Sequence, residues 1–286
     1  MKKNKYNNML EKYLQKLALE EKSRNTVEKY NRDIRKFLEF IGSERISKES
    51  VVEYKKSITV KYKVSSTNSM LVAVNNFLEF CGLSQAKVKL LRVQKKIFAS
   101  PEKELSKQEY ECLITTAEQK SNKQLSLVLQ AICSCGLRVS ELQFLTISAV
   151  HARRMTVTCK NKKRTVLLPN ELCKKLIIYS KDQNIQNGAI FKTKNGNPLD
   201  RSNIWKMMKN LCKTANVAKT KVFPHNLRHL FARTYYKLEK DIARLADILG
   251  HSNINTTRIY TMESGIKHAR QINKLDLLPA GKKITT

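Results

Sequence analysis

Apolar residues recur at three- and four-residue steps through the first third of the chain. Between Thr26 and Ile41 they fall at Val27, Tyr30, Ile34, Phe37, Leu38 and Ile41, and the rhythm returns at Met70, Leu71, Val74, Phe77, Leu78 and Cys81. Side chains so spaced share one face of a helix, so each stretch predicts an amphipathic helix with a buried stripe. Weaker helical segments cover 10–19 and 47–57. Residues 1–86 therefore read as a small all-helical domain of about four helices with lysine-rich outer faces.

From Ala86 to Ser100 the rhythm falters, and Lys87, Lys89, Arg92, Lys95 and Lys96 crowd together ahead of Pro101. A basic interdomain linker is expected over 87–101. Ser106 and Glu109 then have the spacing of a capping box, in which each side chain satisfies an unpaired amide at a helix start, so a second domain is expected over 102–286. Within it, 125–135 is almost continuously apolar and predicts a buried helix, and further helices are expected over 202–215, 226–238 and 241–249. Residues 155–158 and 165–168 are short β-prone runs. The polar segment 159–164 between them predicts a hairpin whose tip carries Lys160, Lys162, Lys163 and Arg164. The expected fold is mainly α with a small β-hairpin: an N-terminal helical domain followed by an α+β domain.

Charge narrows the function. The 286 residues hold 55 Lys and Arg against 24 Asp and Glu, a formal charge of +31, which implies a polyanionic partner, nucleic acid first among them. An anionic membrane surface would attract the same charge. However, no apolar stretch is long enough to span a bilayer and no charged-then-apolar leader opens the chain, so a cytoplasmic location is expected. Cys81, Cys112, Cys133, Cys135, Cys159, Cys173 and Cys212 form no matched CxxC pairs and read as reduced thiols, mostly small core residues. No metal or cofactor is expected, since no Asp and Glu cluster suits a pair of magnesium ions.

Four local patterns carry candidate chemistry. In GLRVSEL, 136–142, a helix ends at Gly136 and Arg138 follows, placed to grip a phosphate through parallel hydrogen bonds or simply to pair with Glu141. In TCKNKKRTVLLP, 158–169, a hairpin lysine can reach a DNA groove and protonate a leaving oxygen. In PHNLRHLFA, 224–232, His225 and Arg228 share one helix face and can address one phosphate, while His229 is read as supporting the fold. In LADILGHSNINTTRIYT, 245–261, Gly250 ends a helix and exposes His251, and Tyr260 follows. Tyr235 and Tyr236 lie in a helix and read as core or helix-surface residues.

This ordered series resembles the tyrosine recombinase or phage-type integrase family, including the Xer recombinases. Arg138, Lys160, His225, Arg228, His251 and Tyr260 each fall on a position of the family pattern. SRNTVEKYNRDIRKFLEF and STNSMLVAVNNFLEF, in the first domain, resemble its helical, SAM-like core-binding domain, so the likeness spans nearly the whole chain. CKNKKRT replaces the commoner GKGxKxR, so the hairpin lysine is Lys160 with Lys162 or Lys163 as alternatives; HLFA replaces HTFA, a change expected to affect packing only.

The resemblance implies a site-specific recombinase that cuts and rejoins double-stranded DNA at specific core sites through a 3′-phosphotyrosine at Tyr260. The arginines would neutralise the phosphate, His225 would take the tyrosine proton, His251 would donate to the phosphate and the lysine would protonate the 5′ oxygen. It also implies two domains clamping the duplex, steep salt dependence of binding, and a homotetramer, or an assembly with a related recombinase, on two sites. The tail from Ser264 would contain a short helix that docks on a neighbour. Without an arm-binding domain, simple core sites are expected, serving integration and excision of a mobile element, cointegrate resolution, or dimer resolution. The rivals are a catalytically silent DNA-binding protein of this fold and a type IB topoisomerase.

Overall fold

The computed structural model describes residues 2–92, 101–159, 162–193, 195–260, 269–270 and 272–275. The chain divides into two compact units, 1–95 and 96–286. The first is all-helical: α1 (Lys2–Leu19), α2 (Arg24–Ile41), α3 (Lys48–Lys61) and α4 (Val64–Phe80). The periodic residues meet in its core, with Ile34, Phe37, Leu38 and Ile41 of α2 against Met70, Leu71, Val74, Phe77 and Leu78 of α4. Ser23 caps α2 by accepting from the Thr26 amide, and Ser47 with Ser50 forms a capping box at the start of α3.

The basic stretch after α4 begins as a strap on this unit. Asn75 donates to the Val88 carbonyl at 2.8 Å and accepts from its amide at 3.0 Å, and Asn68 does the same for Leu91 at 2.9 and 2.8 Å. Each asparagine amide thus replaces a strand partner, and Val88 is buried. The chain from Lys87 to Leu91, expected within the linker, is held to the helices in this way, while 93–100 fall outside the described residues.

The second unit is built on α5 (Lys107–Gln119) and α6 (Lys123–Cys135). The expected capping box starts α5, with the Ser106 amide donating to Glu109 at 2.8 Å and the Glu109 amide to the Ser106 hydroxyl at 3.1 Å. Leu125, Val128, Leu129, Ala131 and Ile132 of α6 are all buried, as a continuously apolar helix must be. Around α6 pack α5, α8 (Asn170–Asp182) and α10 (Pro224–Glu239). The unit also contains α7 (Ile147–His151), α9 (Arg201–Thr214), α11 (Ile242–Leu249) and α12 (Asn255–Arg258). Helix α8 is an addition to the expected elements, and Leu172, Cys173, Leu176 and Tyr179 form its buried stripe.

The hairpin differs from expectation in its extent. Strands β1 (Arg154–Cys159) and β2 (Lys162–Leu167) pair antiparallel with Val157 opposite Arg164 and Cys159 opposite Lys162. Lys162, Lys163 and Arg164 therefore belong to β2, not to the tip. Because side chains alternate across a strand, Arg164 shares the inward face of Val166, which is 5% exposed. No helix among the described residues is long and apolar enough to cross a membrane. Of the tail from Ser264 onward the described residues are 269–270 and 272–275, which form helix and turn with Ile272 and Leu275 exposed; the rest of the tail falls outside the described residues, and the expected docking on a neighbour is a matter these residues do not test.

Candidate active site

Two glycines and one arginine bring the separate motifs together. Helix α6 ends at Gly136 with φ 62° and α11 at Gly250 with φ 64°, both left-handed turns that favour glycine. Any side chain would also collide there: a Cβ on Gly136 would lie 2.5 Å from the Phe231 ring, and one on Gly250 2.5 Å from Arg164 Cδ. Helix ends leave carbonyls without partners. Arg228 of α10, 1% exposed, donates to the Gly136 carbonyl at 2.6 Å and to the Leu249 carbonyl at 2.7 Å. One guanidinium so fastens the ends of α6 and α11, from which Arg138 and His251 follow.

Glu141 is the counter-charge and is 2% exposed. It accepts from Arg138 through the backbone amide at 2.8 Å and Nη1 at 2.9 Å, and from Arg164 Nη2 at 2.6 Å, with Arg228 Nη1 at 4.0 Å. Burial by itself would raise its carboxyl, but the Arg138 amide and the Arg164 and Arg138 guanidiniums overcome this and hold it below the usual range. Arg164 also donates to the Ile248 carbonyl, joining the hairpin to the end of α11. Three guanidiniums on one carboxylate leave the site with excess positive charge, ready for an anion. Arg138 is the member that reaches the surface, its side chain 36% exposed.

Tyr260 is buried at 3% exposure against Ala232, Leu245 and Leu249. Its ring meets His229 edge-on at 4.4 Å, lies 5.9 Å from His251 in a stacked arrangement and 6.4 Å from His225. His251 Nε2 sits 3.0 Å from Arg228 Nη2, and its Nδ1 2.8 Å from Thr257 Oγ1. Burial first, then the nearby arginines, lowers His251 to about 4; burial with His225 and Arg228 lowers His229 to about 4; His225 is lowered too, by burial, Arg228 and Arg138.

Arg138, His225, Arg228, His251 and Tyr260 thus converge. Lys160 lies outside the described residues, as does the side chain of Lys162. From sequence Arg164 is expected on the hairpin tip and Glu141 only as a partner of Arg138, and no local pattern marks Thr257. The inward parity of Arg164 with Val166 was the available signal for the first. Among the described residues no group of three or more His, Cys, Asp or Glu side chains is placed to hold a metal ion.

A pH dependence follows. Histidines at about 4 when folded return to about 6.5 when unfolded, so the unfolded chain binds more protons between those values. Their contribution to stability is complete above about pH 6.5 and falls as pH drops toward about 4. Denaturation midpoints measured at neutral pH and near pH 5 are expected to show that loss, and a flat profile across the window would contradict the buried neutral histidines.

Comparison with known proteins identifies the family. The phage integrase family matches residues 103–265, and the phage integrase N-terminal SAM-like domain matches 10–82. Tyrosine recombinase XerD of Halalkalibacterium halodurans is 31% identical over 170 residues, covering 56% of this chain and 56% of that protein, so the match spans a little over half of the relative's length. The crystal structure of XerA recombinase is similar at 27% identity with a TM-score of 0.53, covering 96% of this chain and 99% of that one. A lambda integrase (residues 75–356) dimer bound to a COC′ core site shares the fold at 16% identity with a TM-score of 0.73, covering 98% and 99%.

Proposed function

The chain belongs to the phage integrase family, and on that footing we propose that it is a site-specific tyrosine recombinase that cleaves and rejoins DNA through a 3′-phosphotyrosine at Tyr260. The observation that carries this reading is the convergence of Arg138, His225, Arg228 and His251 around Tyr260 over an excess of guanidinium charge. XerD is by name a tyrosine recombinase, and the lambda integrase neighbour is bound to a core site. The first supports the reaction, and the second supports double-stranded DNA with core sites as the partner.

A phosphodiester repels nucleophiles, so charge neutralisation comes first. Arg138, at the surface, meets the phosphate, and Arg228, still donating to the Gly136 and Leu249 carbonyls, gives its remaining Nη2–H to the phosphate in place of His251; the pair stabilises the pentacoordinate transition state. The Tyr260 hydroxyl oxygen bonds to phosphorus and its proton passes to His225, which burial and Arg228 hold in the unprotonated form an acceptor needs. The P–O5′ bond breaks and the hairpin lysine, Lys160 or its neighbours Lys162 and Lys163, protonates the departing 5′ oxygen. His251 donates to a phosphate oxygen. The phosphotyrosine retains the bond, so a 5′ hydroxyl of another strand reverses the step without ATP. Four protomers, or two with a related recombinase, act on two sites, serving a mobile element or dimer resolution.

The test is covalent trapping. Nicked duplexes with a randomised core are incubated with the protein, and DNA that stays attached under denaturing conditions is recovered and sequenced. A recombinase yields a family of related cores linked through the 3′ phosphate. Relaxation of site-free supercoiled plasmid would instead indicate a type IB topoisomerase, and binding without any covalent product a silent DNA-binding protein.

A further inference from the structure

We propose that the Thr257 hydroxyl is a positioning group for strand cleavage, one that holds the His251 ring in either neutral tautomer: Nδ1–H while Arg228 is the partner of Nε2, and Nε2–H when a phosphate oxygen takes that place. The inference rests on the recombinase reading and deepens it.

The resting proton is assigned by elimination. A guanidinium has only donors, so at 3.0 Å from Arg228 Nη2 the His251 Nε2 atom must be the acceptor. A neutral imidazole then carries its proton on Nδ1, and Nδ1–H donates to Thr257 Oγ1 at 2.8 Å. In this state His251 cannot give a hydrogen bond through Nε2. Cleavage asks the opposite of it, an Nε2–H directed at an anionic phosphate oxygen, and that leaves Nδ1 as a bare acceptor.

Thr257 is suited to both states. It is fully buried, at 0% exposure, so water does not stand in for it. Its hydroxyl accepts in the resting state and, by rotating about its C–O bond, donates in the phosphate-bound state. The ring therefore keeps a hydrogen bond at Nδ1 whichever nitrogen holds the proton. The charged and titratable groups around His251 are Arg228 and His225 of α10, Arg138 beyond α6, Arg164 of β2 and Tyr260 beyond α12. Burial first, then the arginines, oppose a second proton on the ring, so each of the two states is a neutral tautomer and not an imidazolium. Thr257 contacts His251 and not the phosphate, so its effect is exerted through the histidine.

The experiment has two readouts. Nitrogen-15 labelling of the five histidines, with His251 assigned from a His251→Gln spectrum, reports the tautomer of the free protein. Protonated Nδ1 with bare Nε2 is expected, and the reverse would overturn the proposal whatever the activity. The second readout is single-turnover covalent-complex formation on a duplex recovered by the trapping experiment. Thr257→Val, which keeps the side-chain shape but can neither donate nor accept, is expected to slow it roughly 10- to 100-fold with duplex affinity unchanged. Thr257→Ser restores the hydroxyl and is expected to return the rate to within about threefold of the original. A valine variant as fast as the original, or a serine variant as slow as valine, would overturn the role. If the unsubstituted protein forms no covalent complex on any duplex, the recombinase reading itself fails, and the cleavage role of Thr257 falls with it.

Discussion

Tyr260→Phe is expected to reduce covalent protein–DNA product below detection while leaving duplex binding and folding almost unchanged. The substitution removes only the hydroxyl. The ring stays packed on Ala232, Leu245 and Leu249 and edge-on to His229, so a stability change within about 1 kcal/mol is expected. Without an oxygen to bond phosphorus the covalent route is closed, and no residual rate comparable to that of a lost assisting group should remain. Tyr235 and Tyr236 are the controls, because both pack against the same small cluster. Tyr235→Phe and Tyr236→Phe should each retain the denaturation-resistant complex on gels. Covalent product from the Tyr260→Phe protein would move the nucleophile elsewhere.

Glu141→Ala is expected to cost about 3–5 kcal/mol of folding stability, the penalty of leaving buried charge without its partner. Three guanidiniums rely on that carboxylate, and Arg138 and Arg164 would face each other without it. The denaturant midpoint measures the loss, with Glu141→Gln falling between the two because an amide oxygen still accepts. The pH dependence has a definite sign. A carboxyl held below its ordinary value of 4.5 contributes stability above about that pH and loses it as pH falls through the folded value. The original protein should therefore show an acid transition below about pH 4.5 that the alanine variant lacks. An alanine variant as stable as the original at neutral pH would mean that the arginines are solvated and the carboxylate dispensable.

The helices were legible because their signal is local. Ile34, Phe37, Leu38 and Ile41 lie on one face of α2 by spacing alone, and the Ser106–Glu109 cap depends on residues three apart. The hairpin was legible in existence but not in extent, because Lys162 to Arg164 read as turn residues until strand pairing extends past them. Polar composition marks a turn only when nothing across the sheet uses the residues. Helix α8 carried its stripe in plain view at Leu172, Cys173, Leu176 and Tyr179 and still went unread beside its lysine-rich outer face.

The sequence by itself determined the two-part helical plan through spacings within helices, the charge that calls for a polyanion through composition, and the ordered set Arg138, His225, Arg228, His251 and Tyr260 through short motifs and the family resemblance they carry together. What it left open concerns partners far apart in the chain. Arg228 reads as a phosphate ligand, yet it is also the fastener between the Gly136 and Leu249 carbonyls, 92 and 21 residues away. Glu141 meets Arg164 across 23 residues, and the tautomer of His251 depends on Arg228 at the same remove in the chain. Hydrogen-bond polarity and buried charge balance are properties of which groups meet where water is excluded. Only the tertiary structure brings those groups together.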